Sequence, residues 1–512
     1  MVDRFDVPEP SHERVFILSL APLAPETRNL IDGSLCEAST GQSFENSNPA
    51  TGEVLGTCAD GTREDMLRAI EAARRAFDES DWSVDHDFRK KCIRQLHEGM
   101  LEEREQLRAI VVREAGAPIS LGSFMHVDGP IDMMSYWADL AASYSYETRM
   151  PDMPFLGQQH GRILRREAAG VVGAITPWNV PLYLNIAKIG PALASGCALV
   201  LKPAPDTPWS ATHLGKIVRE STDIPAGVLN IVASSDHLLG EILSTDPRVD
   251  VVTFTGSTAT GRRIMECAAP TLKKVFLELG GKSANIVLDD ADFAAVLPMA
   301  AMTCVHGGQG CAITTRILIP RSRYDEALGT LKTAFENWSY GDPTDAANLQ
   351  GPQISHRQRE RVLAYIEKGK AEGARCLVGG GAPTGKLGEK GYFVEPTLFV
   401  DVDPDSTIAQ EEIFGPVLCV IPYEDDDDAV RIANNSSYGL SGSVQTADVE
   451  RGLAIARRIR VGTIGVAGAH WFHADTPFGG YKQSGIGREN GILGFEEYLE
   501  TKVIAIPSGS GK

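Results

Sequence analysis

Hydrophobic and polar positions fall into three regimes along the chain. Residues 1–25 have weak periodicity and read as an arm or frayed extension. After Thr62, apolar residues recur every three or four positions at Met66, Ile70, Ala73 and Phe77. That is the spacing of one helix face, with Thr62 as its N-cap. A second helical stretch, Phe88 to Glu114, carries many charges on its opposite face. From Gly170 the pattern changes to short, almost continuous apolar runs: Ala169–Ile175, Ala198–Leu201, Val228–Val232 and Val251–Phe254. A further set follows at Ala284–Leu288, Thr315–Ile319, Val417–Val420 and Gly462–Ile464. Such runs, separated by helical segments, predict parallel sheets covered on both faces. The fold class expected is α/β, with two doubly wound domains meeting near residue 278. Repeats and long low-complexity segments are lacking, apart from a Ser/Gly tail after Pro507.

Composition narrows the choice of partners. With 512 residues, 43% hydrophobic and 23% charged, the chain can bury more than one core. A net charge of −19 and the lack of a basic run argue against nucleic acid. The acidic cluster Glu424–Asp428 reads as a solvated helix start. Nine scattered cysteines, an odd count with no CxxC pair, fit neither a disulfide framework nor a zinc site. They point to a reducing, cytoplasmic setting. Val15–Leu23 follows an acidic start and contains Ser19 and Pro22, so a secretory signal is not expected. No apolar run approaches the roughly 20 residues that span a bilayer.

Candidate chemistry concentrates in glycine-rich turns. Cys311, in Gly308-Gln309-Gly310-Cys311, is a thiol with open space around it. Glu278, in Glu278-Leu279-Gly280-Gly281-Lys282, is a candidate base for that thiol or for a following water. Free cysteines are usually inert core, and Cys304 reads as one. Thr255-Gly256-Ser257-Thr258-Ala259-Thr260-Gly261 follows a strand and opens a helix, a setting that suits a phosphate; an ordinary capped turn has the same signature. Asn179, in Thr176-Pro177-Trp178-Asn179, brings an amide donor to a strand's carboxyl end, where open α/β sheets bind ligands. Lys202 leaves another strand in Lys202-Pro203-Ala204-Pro205 and is suited to sugar hydroxyls or phosphates. Glu412 and Phe414 share the tight loop Glu411–Pro416. Pro477–Gly485 reads as a loop packed against a site mouth. A cysteine hydrolase would need a histidine partner, and neither His306 nor any other histidine has a recognisable setting for one.

Taken in this order, these stretches resemble the aldehyde dehydrogenase superfamily, from about Leu30 (Ile31-Asp32-Gly33, then Asn48-Pro49-Ala50-Thr51-Gly52) to Lys502. The resemblance implies a Rossmann-like dinucleotide-binding domain at 1–143 and 166–277, with 1–25 an arm. It also implies a catalytic domain at 278–488 and a β oligomerisation flap at 144–165 and 489–512. It implies NAD as cofactor, with NADP possible, an aldehyde as substrate, and a homodimer or homotetramer. By the same resemblance Cys311 attacks the aldehyde to give a thiohemiacetal, and Asn179 with the Cys311 N–H holds the oxyanion. Hydride leaves to the nicotinamide, and Glu278 activates the water that hydrolyses the thioester. Ile175, Thr176, Pro177, Trp178, Gly256 and Leu279 fall to the cofactor cradle. Ser257 falls to the pyrophosphate, Lys202 to the adenine-side ribose, and Glu412 with Phe414 to the nicotinamide side.

Two positions depart from the family pattern. Pro205 stands where many NAD-preferring members carry a glutamate that repels a 2′-phosphate, so rejection of NADP is open. Ala467 stands where many have Asn. The implied tunnel, Val180, Leu184, Ala187, Trp471, Phe472 and Phe478, is apolar, although all six also read as core. It favours an aliphatic or aromatic aldehyde over a small polar or charged semialdehyde. The alternatives on one scaffold are a coenzyme A-acylating relative, against which the base at Glu278 argues, and a protein whose chemistry is lost.

Overall fold

The computed structural model describes residues 20–507; most of the expected arm and the tail after Pro507 lie outside the described residues. The helix after Thr62 spans Arg63–Glu79. Its cap is reciprocal: the Thr62 hydroxyl accepts from Asp65 N, and the Asp65 carboxylate accepts from Thr62 N. The stretch expected as one helix from Phe88 to Glu114 is instead two, His86–Glu102 and Arg104–Glu114, broken at Glu103. The Glu103 carboxylate is drawn sideways to Lys216 at 2.5 Å and His213 at 3.3 Å. Hydrophobic spacing hides this break, because Leu96, Met100, Leu107 and Val111 all reach the same core.

The first sheet has eight strands. Its parallel centre runs, in spatial order, Lys274–Glu278, Val251–Thr255, Val171–Ile175, Ala198–Lys202 and Leu229–Ile231. Alternate residues serve opposite faces: Leu199 and Leu201 enter one core, Ala198 and Val200 another. Burial on both faces explains why these strands read as unbroken apolar runs. The antiparallel pair Asn29–Ile31 and Ser34–Cys36 closes one edge, and Gly485–Ile486 pairs with Leu277–Glu278 at the other.

The second sheet has seven strands, in the order Arg375–Val378, Thr397–Val400, Val417–Tyr423, Thr314–Pro320, Ser283–Val287, Ser441–Gln445 and Thr463–Val466. All but the first pair in parallel. A third sheet joins Glu147–Phe155, Gln158–Ala168 and Leu499–Pro507 in antiparallel register. The acidic cluster starts a helix as expected: Asp425 caps Asp426–Asn434 by accepting from Asp428 N. Among the described residues, no helix is long and apolar enough to cross a membrane.

This topology sets where chemistry can occur. Ile175, Lys202, Thr255 and Glu278 end parallel strands of the first sheet, so they share its carboxyl edge. The chain then passes through Leu279–Lys282 directly into Ser283–Val287 of the second sheet. Ser283 lies opposite Thr314, which brings Cys311, just before Thr314, back to the same junction.

Candidate active site

Cys311 and the Glu278 loop are in direct backbone apposition. A Cβ on Gly281 would fall 2.5 Å from the Cys311 carbonyl oxygen, so only glycine permits this approach. Cys311 is partly exposed, whereas Cys304 is fully buried with its sulfur toward Pro416 O. All nine cysteines are free thiols. Burial pushes the Cys311 thiol up to about 12, reinforced by the charges of Glu278 and Glu412 and opposed by the N–H groups of Ala312 and Cys311. The resting thiol is therefore neutral and needs a base to become a nucleophile.

Glu278 is only 2% exposed, and neither carboxylate oxygen has a hydrogen-bond partner. Burial raises it to about 8, with Lys188 and Arg488 pulling in the opposite direction. A buried carboxylate without partners costs several kcal/mol when ionised, and such groups cluster at reactive sites. Gly479, at φ +157°, lies against it: a Cβ there would sit 2.7 Å from Glu278 Oε1. The loop 477–485 thus packs on the site, as its glycines suggest.

Asn179 is 6% exposed and donates from Nδ2 to Gln309 O at 2.9 Å, two residues before Cys311. Nδ2 carries a second hydrogen that this bond does not use. Gln309 is itself clamped, donating to His306 O and Pro352 O and accepting from Ile354 N at 2.9 Å. His306 Nε2 donates to Asn179 O at 2.6 Å, and burial lowers the ring to about 4. It is neutral and committed to the backbone, not poised as a hydrolase base.

The expected cofactor residues line the same edge. Thr176 is buried, donating from Oγ1 to Asn185 Oδ1 and from N to Lys202 O; this ties the turn Pro177–Trp178 to the neighbouring strand end. Gly256 donates its N–H to Glu278 O at 3.0 Å. Ser257 caps Thr258–Ala268 by accepting from Thr260 N at 3.2 Å, which leaves a positive helix end at the crevice. Leu279 packs on Gly261 of that helix. Lys202 is 2% exposed, and its ammonium has a single long contact, to Pro203 O at 3.3 Å. Pro205 follows it, half-buried.

Across the crevice, Glu412 accepts from Gly281 N at 2.9 Å and fills the space a Gly280 side chain would take. Burial raises it to about 7. Phe414 adopts φ 59°, and its ring meets Trp178 edge-on at 5.4 Å. A bare Gly256–Ser257 turn at a helix N-terminus, a buried lysine short of partners and a carboxylate opposite fit a dinucleotide's phosphates and ribose hydroxyls.

Several side chains at this site escaped sequence reasoning. Lys188, fully buried, contacts the buried Glu489 and lies 5.3 Å from the Phe276 ring. Burial pulls its ammonium down to about 7 against the charges of Glu278 and Cys311. Lys188 as the one charged residue in the run Leu182–Leu193 was the available signal. Of the expected tunnel, Trp471 stacks on Phe478 at 5.7 Å, and Phe472 meets Tyr183 at 5.4 Å. Phe124, half-exposed, joins Phe472 and His470; nothing in its local sequence marks it. Val180, Leu184 and Ala187 belong to the first sheet's core. Ala467 holds φ 51°, a backbone shape that an Asn adopts more readily.

Comparison with known proteins is consistent along the chain. The sequence model of the aldehyde dehydrogenase family matches residues 36–504. Aldehyde dehydrogenase 1 of Tanacetum cinerariifolium is 38% identical over 484 residues, covering 94% of this chain and 95% of that protein. The crystal structure of Mycobacterium tuberculosis aldehyde dehydrogenase complexed with NAD+ is similar at TM-score 0.90 and 42% identity, covering 96% of this chain and 100% of that one. A mutant of aldehyde dehydrogenase C from Pseudomonas syringae, complexed with NAD+ and octanal, gives TM-score 0.89 and 39% identity, covering 94% and 98%.

Proposed function

This chain belongs to the aldehyde dehydrogenase family and oxidises aldehydes with NAD+, and we propose that Cys311, Glu278 and Asn179 carry the chemistry to a free carboxylic acid. The observation that carries this reading is the unpartnered, buried Glu278 carboxylate one glycine turn from a partly exposed thiol.

The Cys311 sulfur adds to the carbonyl carbon as the thiol's proton leaves to solvent. The carbonyl oxygen gains negative charge. The second Nδ2 hydrogen of Asn179 and the Cys311 N–H are the donors available to hold it. The bound dinucleotide supplies the hydride acceptor that turns a thiohemiacetal on Cys311 into a thioester. Ser257, Lys202 and Glu412 would hold its pyrophosphate and two riboses, with Ile175–Trp178, Gly256, Leu279 and Phe414 around them. Glu278 then takes a proton from water as the new C–O bond forms and the C–S bond breaks. Acid leaves, and Glu278 passes that proton to the departing sulfur, which restores the thiol. Lys188, fixed by Glu489, supplies the positive charge that lets Glu278 ionise in its buried setting. A positioned base favours water over coenzyme A as the acyl acceptor.

The aromatic group Phe124, Tyr183, Trp471, Phe472 and Phe478 supports an apolar aliphatic or aromatic substrate; octanal is bound by one structural relative. A homo-oligomer is supported by the third sheet. Its strand Glu147–Phe155 is exposed almost throughout, with Phe155 58% and Leu156 87% exposed beside it. Free thiols throughout fit a cytoplasmic setting. The test is an aldehyde panel followed by NADH appearance, with Cys311→Ala as control. The variant should bind NAD+ and oxidise nothing; turnover near that of the parent protein would refute the reading.

A further inference from the structure

The position three residues after Lys202 is Pro205, which brings no charge to a ribose held by that lysine. A different set of carboxylates approaches Lys202 from the next loop. Its aliphatic stem runs past Gly240, where a Cβ would sit 3.5 Å from Lys202 Cδ. Gly240 follows the short turn His237–Leu239, and that turn is capped by Asp236, whose Oδ1 accepts from Leu238 N at 2.8 Å. This bond leaves Oδ2 free on an exposed residue. Behind it, Asp60 accepts from Ser234 Oγ at 3.0 Å, Ser235 N at 2.8 Å and Ser235 Oγ at 2.7 Å. The loop 234–236 is thereby fixed against the segment that leads into the helix Arg63–Glu79.

These groups open on a cavity of about 450 Å³ whose lining includes Asp60, Arg63, Ser235, Asp236 and Glu241. Glu241 is paired with Arg263 at 3.0 Å, so Asp60 and Asp236 remain against Arg63. Asp236, then Asp60, then Asp206 are the charges acting to keep the Lys202 ammonium protonated against its burial. Of these, Asp236 alone combines exposure, a free oxygen and a cap that fixes its position.

We infer that Asp236, backed by Asp60, takes the place of the missing glutamate and rejects the 2′-phosphate of NADP+, setting selectivity for NAD+. The inference rests on the proposed placement of the adenine-side ribose at Lys202. A phosphate on a ribose held by that lysine would add two negative charges beside a lining where, among the described residues, Asp236 and Asp60 already face the single unpaired cation Arg63, and like charges a few ångströms apart near a surface cost about tenfold or more in affinity. A free 2′-hydroxyl, being neutral, meets no such barrier.

The experiment measures Kd for NAD+ and NADP+ by quenching of protein fluorescence, in parallel with kcat/KM for both, on the full-length protein and on Asp236→Asn, Asp236→Arg and Asp236→Glu. Asparagine keeps the capping oxygen, so the loop should hold. The expected result is that the unaltered protein favours NAD+ in Kd by at least about tenfold, less at high salt where the repulsion is screened. Asp236→Asn should reduce that ratio several-fold, Asp236→Arg should bring it to or below unity, and Asp236→Glu should retain it. Equal binding of both dinucleotides by the unaltered protein, or a ratio indifferent to the charge at 236, overturns the inference while leaving the placement at Lys202 intact. Failure to bind either dinucleotide overturns both.

Discussion

Replacing Glu278 with glutamine should stabilise the protein increasingly as pH rises, even as turnover stops. The carboxyl's ordinary value of 4.5 is raised to about 8 in the fold, chiefly by burial. Between these values the folded state holds a proton that the unfolded chain has released. Stability is therefore fully present below about 4.5 and is lost as pH rises through about 8. At about 1.4 kcal/mol per unit, the full span is worth about 5 kcal/mol as an upper bound, and the window from pH 6 to 8 roughly 2–3 kcal/mol. Glutamine carries no such slope. Its amide has no fixed partner, because neither Glu278 oxygen has one, and that cost of about 1–3 kcal/mol does not vary with pH. With an unfolding entropy near 2 cal/mol/K per residue, the gap in apparent Tm should widen by roughly 2–3 °C between pH 6 and 8. Differential scanning fluorimetry of both proteins in matched buffers reads this directly. A gap that stays constant or narrows over that window would refute the claim that Glu278 is a desolvated, proton-holding base.

Asn179→Ala should lower kcat by about 10²–10³, the usual loss for one oxyanion donor, with a smaller change in KM; a loss confined to KM would argue against that role. Lys188→Met removes a positive charge that, with Arg488, favours Glu278 ionisation, and because burial brings the ammonium to about 7, thioester hydrolysis should slow most below pH 7, as stopped-flow measurements would detect. Gly479→Ala pushes a methyl toward Glu278 Oε1 and should slow hydrolysis more than the initial burst of NADH; an unchanged steady-state rate would contradict the packing.

The first sheet was legible because burial on both faces leaves continuous apolar runs, and the second for the same reason. The break at Glu103 was not, since both halves keep one apolar face. Cys311 and Glu278 stood out through their glycines, which the structure explains by the close approach of Gly281 to the Cys311 carbonyl and of Gly479 to the carboxylate. Lys188 was signalled only as a charge inside an apolar helix, while Glu489 and Phe124 reach the site across long sequence separations of which local pattern carries no trace. The role of Asp236 was hidden likewise, because its effect on Lys202 depends on a loop docked by Asp60.

The most direct test of covalent catalysis is intact-protein mass spectrometry of Glu278→Gln mixed with NAD+ and an oxidisable aldehyde, then quenched in acid. A single adduct with the mass of the aldehyde less two hydrogens, located by peptide mapping on Cys311 and missing from Cys311→Ala, is the predicted result. NADH formation without that adduct, or an adduct on another cysteine, would contradict the account.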